Sequence, residues 1–218
     1  MKDRIKHHLT DELLMAYSAG ALPEAFDLMV ATHLSLCDEC RARAESFDAI
    51  GGVLLEDDEM TASEMGSQSL AATMELIKKG PARPRTKDTA ACSVLPAPLR
   101  DYVGGDVSRI KWRPIGMGVK QAIIANSPEA SARLLYIPAG TAVPDHGHNG
   151  MELTMVLQGA FSDEVDRFAR GDVEIADEDL EHMPVADVGE DCICLAVTDA
   201  PLKFNSLMPR LLQPFFRI

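Results

Sequence analysis

The spacing of apolar residues divides the chain into two textures. Over the first 80 residues it follows the helical period. Thr10 is placed to cap a helix over 11–19, which Gly20 would end. Pro23 suits the first turn of a second helix, in which Phe26, Met29, Val30 and His33 fall at i, i+3, i+4 and i+7 and share one face. A third helix is expected over 38–55, with Cys40, Ala44, Phe47 and Leu54 along one stripe. The acidic stretch EDDEM (56–60) interrupts the pattern. A short fourth helix then runs over 69–79, with Leu70, Met74 and Ile77 on one side and two lysines at its C-terminal end, where cations are favoured. Residues 81–98 are rich in proline and lack periodicity, as an exposed linker does. Beyond them come short β-type runs, RIKW (109–112), QAIIA (121–125), ARLLYI (132–137), LTMVL (153–157) and CICLAV (192–197), separated by Gly, Pro, Asn and Asp. Many short strands with turn signals indicate a sandwich or barrel, a jelly roll among the options. The predicted organisation is an all-α domain of four helices over 1–80, a linker over 81–98 and an all-β domain over 99–218, with no internal repeat.

Composition narrows the class. Apolar residues make up 46% of the chain, enough for packed cores. No run approaches the ~20 apolar residues of a membrane span, and the charged N-terminus MKDRIKHHLTDELL lacks the apolar region of a secretory signal. The expected location is the cytoplasm, where thiols stay reduced, so five cysteines point to metal or redox chemistry before disulfides. The net charge of −13 disfavours direct binding to nucleic acid. It is concentrated in the helical part, where residues 1–80 carry 15 acids against 7 bases. Such a surface is either simply solvated or complementary to a basic partner, such as a DNA-binding protein.

Two segments carry candidate chemistry. In HLSLCDEC (33–40), His33 and Cys37 are four apart and Cys37 and Cys40 three apart, spacings that converge across a helix end. Three nitrogen and sulfur donors need one more to close a tetrahedral Zn²⁺ site, and His7 or His8 can supply it. A C-x-x-C pair also suits a thioredoxin-like redox centre, but that motif follows a strand, and nothing β-like precedes Cys37. A zinc clip would add stability to a helical unit with a thin core. The pattern H-x3-C-x-x-C, with His8 lying 25 residues before His33, resembles the zinc-binding anti-sigma domain. The resemblance implies that His8, His33, Cys37 and Cys40 bind Zn²⁺. It also implies that the helical domain occludes an extracytoplasmic-function sigma factor in a 1:1 complex, and that the fourth helix, with Leu70, Met74 and Ile77, contacts it.

In PDHGHNGME (144–152), His146 and His148 face the same way on an extended strand, and Glu152 has the same parity. Two imidazoles and a carboxylate are a recurring divalent-metal set. From Gly140 to Gly159 the stretch reads G-x5-H-x-H-x3-E-x6-G and is similar to the first cupin motif. The second cupin motif is partial: Gly171 and His182 keep its spacing, while Asp177, Asp179 and Ala186 replace its Pro, Gly and Asn. The resemblance implies a cupin jelly-roll barrel with His146, His148, Glu152 and His182 as ligands. Three histidines and a glutamate suit Zn²⁺, or Mn²⁺, Fe²⁺ or Ni²⁺ with water completing an octahedron. Tyr136, Glu164 and Asp166 read as ordinary core or solvated residues. Cys192 and Cys194 share a strand face, either as small buried hydrophobes or as a redox-sensitive thiol pair.

Together the two domains resemble the ChrR-type anti-sigma factors over nearly the whole chain, including the terminal run RLLQPFFRI. The resemblance implies a regulator, not an enzyme. It binds no DNA or membrane itself, and it frees its sigma factor when the cupin domain senses singlet oxygen or a related oxidant. The alternative is a cupin metalloenzyme, a dioxygenase or isomerase, with a zinc-stabilised helical docking domain.

Overall fold

Residues 192–198 are buried at every position, which a strand achieves only when both faces of its sheet are covered. The computed structural model describes residues 4–56, 66, 68–80, 93–147, 149–178, 180–201 and 203–204. Within these, the helices are α1 (Asp11–Ser18), α2 (Glu24–Leu34), α3 (Asp38–Leu55), α4 (Ser69–Lys78) and α5 (Ala97–Val103). The strands are β1 (Arg113–Gly116), β2 (Val119–Asn126), β3 (Ser131–Ile137), β4 (His146–Gly147), β5 (Glu152–Gln158), β6 (Ala160–Ser162), β7 (Arg167–Ala169), β8 (Val173–Ala176), β9 (Val185–Ala186), β10 (Cys192–Thr198) and β11 (Lys203–Phe204). An antiparallel sheet of six strands has the order β1-β2-β3-β10-β5-β8, a second sheet runs β7-β6-β9, and β11 pairs with β4.

Alternation along β10 shows what covers each face. Cys192 and Cys194 pack with Val156, Phe161, Phe168 and Ala186, between the two sheets. Ile193, Leu195 and Val197 face the other way and join Phe26, Met29 and Val30 of α2 in one apolar cluster. The helical unit therefore lies on the outer face of the six-stranded sheet, with α2 against β2, β3, β5 and β10.

The expected helices α1 to α4 are present. Thr10 caps α1 by accepting from Leu13 N, and Phe26, Met29, Val30 and His33 are buried on one face of α2. Two expectations fail in detail. Leu54, expected on one stripe of α3 with Cys40, Ala44 and Phe47, is 60% exposed, because only Cys40 and Ala44 of that helix are buried and its C-terminal half projects. RIKW (109–112) is not a strand. Asp106 caps a short 3₁₀ turn at Val107–Arg109 and also accepts from the amides of Val94 and Leu95, so the chain is committed to a turn before β1.

Helix α5 begins inside the stretch expected to be a linker. Pro98 lies in its first turn, where no backbone donor is required. Leu99 is buried, and Gly104 ends the helix at φ 75°. Residues 81–92 with Cys92, most of the acidic break, His148, Asp179 and the terminal RLLQPFFRI lie outside the described residues. No helix among the described residues is long and apolar enough to cross a membrane.

Candidate functional site

The first cluster forms where three elements end. His33 sits in the last turn of α2, Cys37 is the N-cap of α3, Cys40 lies in its first turn, and His8 comes from the extended segment before α1. The Cys37 Sγ accepts from Cys40 N at 3.4 Å, so capping the helix aims both sulfurs at one point. His8 Nδ1 lies 3.3 Å from Cys37 Sγ and 3.5 Å from Cys40 Sγ. All four ligand atoms fall within 4.8 Å of one another. His7 points elsewhere, with Nε2 3.1 Å from Asp166 and its ring on Phe168, so of the two neighbours His8 joins the cluster.

This set fits a metal. His33 Nδ1 donates to the Gly171 carbonyl at 3.0 Å, which fixes the tautomer, and its Nε2 is buried without a hydrogen-bond partner. A buried orphan nitrogen beside two thiols is costly unless a cation completes it. Two sulfurs and two imidazole nitrogens, three of the four residues buried and His8 half-buried, are the donors of a structural tetrahedral site and are consistent with zinc. Burial pushes the Cys40 thiol from 9.0 up to about 11, so deprotonation there requires a cation. Burial likewise pushes His33 from 6.5 down to about 4, against the opposing pull of the Gly171 carbonyl.

His33 is therefore held as the neutral ring that ligates. An unfolded chain takes up this proton near pH 6.5 and the folded one only near pH 4. The folded chain therefore loses stability as pH falls from about 6.5 to about 4, by an amount on the order of 3 kcal/mol, and the ring has no such effect above about 6.5. An NMR titration of chelator-treated protein should find the His33 ring neutral down to about pH 4. A midpoint near 6.5 would contradict its burial.

The second cluster lies between the sheets. His146 and His182 form an isolated bridge through N–H···O bonds of 3.3 and 3.2 Å, and their rings are 4.7 Å apart. His146 Nδ1 donates to Pro144 O at 2.8 Å, so a metal bound by this ring takes Nε2. Glu152 opens β5, is buried, and accepts from Thr154 Oγ1 at 3.1 Å. Its charge acts on both rings. His146 and His182 thus face each other, and Glu152 is buried within electrostatic reach of both, while His148 lies outside the described residues.

Two residues not expected here complete the cluster. His182 Nδ1 is 2.9 Å from Glu174 Oε1 and 3.3 Å from Asp163 Oδ2, and all three side chains are buried. Burial raises Glu174 from 4.5 to about 7. Burial also acts to raise Asp163, but hydrogen bonds from Glu174, the Asp166 and Val165 amides and His182 prevail and hold it at about 2. Burial opposes charge on His182, yet the two acids outweigh it and raise its pKa. A histidine gripped by carboxylates at Nδ1 presents Nε2 in a fixed orientation, the usual outer shell of a metal-bound imidazole. The only sequence signal was an acid at an inward position of the run VEIA.

Cys192 and Cys194 are buried and unbridged, their sulfurs 3.5 Å apart. The bond to Cys192 and then burial push the Cys194 thiol up, with the charges of Glu174 and Glu152 adding to the effect. The pair therefore sits in the field of the second cluster. Leu70, Met74, Leu76 and Ile77 of α4 are all exposed, as are Ile50, Val53, Leu54 and Leu55 at the end of α3.

A helical unit with a buried Cys₂His₂ cluster, set on a double-sheeted β domain with a second histidine–carboxylate cluster, defines a two-domain protein of zinc-type helical unit and cupin. Residues 101–201 match the ChrR cupin-like domain family. The chain is 60% identical to the anti-sigma-E factor ChrR of Cereibacter sphaeroides over 215 residues, 98% of this chain and 99% of that protein. It is also similar to the anti-sigma ChrR in the crystal structure of its complex with SigE from Rhodobacter sphaeroides. That match has a TM-score of 0.78 at 56% identity and covers 90% of this chain and 100% of that one. The chain belongs to the ChrR family of anti-sigma factors, regulatory proteins rather than enzymes.

Proposed function

We propose that this protein is a cytoplasmic anti-sigma factor. It holds an extracytoplasmic-function sigma factor inactive in a 1:1 complex and frees it when the cupin domain senses singlet oxygen or a related oxidant. Residues 1–80 form the inhibitory domain, with zinc on His8, His33, Cys37 and Cys40. Residues 99–218 form the sensory domain, with a second divalent ion, Zn²⁺ or else Mn²⁺, Fe²⁺ or Ni²⁺, on His146, His148, Glu152 and His182. Zinc bound there would cross-link three chain segments; the α3 cap aims the two sulfurs, and the Gly171 carbonyl orients the ring of His33.

The observation that carries the inhibitory role is α4. A helix of 10 residues with none buried is marginal in water, and its apolar side is uncovered. A relative of nearly the same length is known in complex with SigE. The sensory role rests on the thiol pair and the second cluster lying together, where oxidation of a sulfur would add bulk and charge to a packed interior.

The test is to purify the full chain with its sigma factor and expose the complex to photosensitised singlet oxygen. His146→Ala or Glu152→Ala should leave sigma affinity unchanged and prevent release. Cys192→Ser/Cys194→Ser should slow it. If the cupin variants lose sigma binding while still responding, the two roles are assigned to the wrong domains.

A further inference from the structure

The other domain holds one histidine of the helical cluster directly and the backbone that leads into the second. Gly171, between β7 and β8, accepts from His33 Nδ1 through its carbonyl at 3.0 Å. The next residue, Asp172, is buried; its Oδ1 accepts from the amides of Lys6 at 2.6 Å and His7 at 3.0 Å, and its Oδ2 accepts from Ala169 N at 2.8 Å. Val173 N then donates to His7 O at 3.2 Å. These bonds bracket the peptide that leads into His8. Gly171 has φ +93°, a backbone conformation that favours glycine, and a Cβ there would also press on the Ile5 side chain, 2.6 Å from its Cδ1. One residue beyond Val173 is Glu174, which grips His182 of the second cluster.

We infer that Gly171 and Asp172 are positioning residues of the helical zinc centre, an outer shell supplied by the cupin domain, and that β8 couples the two clusters. The inference deepens the proposed regulation and rests on the reading that the helical cluster binds zinc. A carboxylate that takes three backbone N–H groups is a strong, directional anchor. Its displacement moves His8, and displacement of Gly171 releases the ring of His33. A change at the His182–Glu174 pair is delivered two residues along the same strand to that anchor. By linkage, the coupling runs in both directions.

The test uses the full chain with Cys192→Ser/Cys194→Ser, loaded with Co²⁺, so that the thiolate-to-cobalt charge-transfer band reports Cys37 and Cys40. Decay of this band is followed after addition of excess EDTA. Asp172→Ala should speed the decay about tenfold, the lower end of the effect of an outer-shell partner. Asp172→Asn keeps an acceptor and should shift the decay in the same direction by less; it carries the test if the alanine variant does not fold. Glu174→Gln should also change the decay rate. Asp166→Ala, whose carboxylate meets the ring of His7 and the amide of Arg167 but neither Asp172 nor a residue of the helical cluster, should leave it unchanged. An unchanged decay in a folded Asp172 variant overturns the inference, and an unchanged decay in Glu174→Gln overturns the coupling. A chain that never develops the band overturns the zinc reading itself, and with it this one.

Discussion

Cys37→Ser will strip the helical cluster of its metal and abolish sigma binding while leaving the cupin domain folded. Serine is itself a preferred N-cap, so its Oγ can replace the Cys37 Sγ in accepting from Cys40 N. What is lost is the thiolate. Structural zinc contributes about 10–16 kcal/mol of apparent binding energy in small zinc domains, as much as a whole domain's net stability of about 5–15 kcal/mol. Part of the helical unit has another support, because Phe26, Met29 and Val30 of α2 share a core with the sheet. The damage should therefore fall on the His8 segment, α1 and the start of α3, with the sheet intact. Metal analysis should show one equivalent less than wild type. Sigma affinity should fall by at least ~100-fold, a change of about 3 kcal/mol. If the variant retains full zinc and full inhibition, Cys37 is not a ligand.

Local spacing made the first cluster legible. His33 lies in phase with Phe26, Met29 and Val30, so its burial followed from the helix, and the two cysteines follow at a helix start. Other features depend on contacts that no local pattern records. Glu174 and Asp163 meet His182 only through the pairing of β5 with β8 and the turn after β6. CICLAV could be recognised as a strand, but the coverage of both its faces depends on where α2 docks. Leu54 fits a helical stripe, yet a stripe is buried only where a partner lies against it. The fifth helix was hidden by prolines that suit a first helical turn as well as a linker. The anchor at Gly171 and Asp172 joins residues 138 and 165 positions apart in sequence, a distance at which spacing carries no information.

Met74→Asp in α4 should weaken sigma binding by ~30- to 1,000-fold without changing zinc content or melting temperature. No residue of α4 is buried, so the folded chain has little to lose from the change. In the proposed complex Leu70, Met74 and Ile77 lie on the covered side, where burying each side chain contributes about 1.5–3 kcal/mol. An aspartate there forfeits that contribution and desolvates a charge, for a total of about 2–4 kcal/mol. Glu75→Ala is the matched control: its carboxylate pairs with Lys78 on the exposed surface at 2.7 Å, and such a pair contributes about 0.3–0.5 kcal/mol. Calorimetry with the purified sigma factor separates the two. Loss of affinity at Met74 but not at Glu75 identifies the apolar side of α4 as the inhibitory face. Equal, small effects at both positions would move that face to the exposed end of α3, where Ile50, Val53 and Leu54 form another uncovered apolar surface among the described residues.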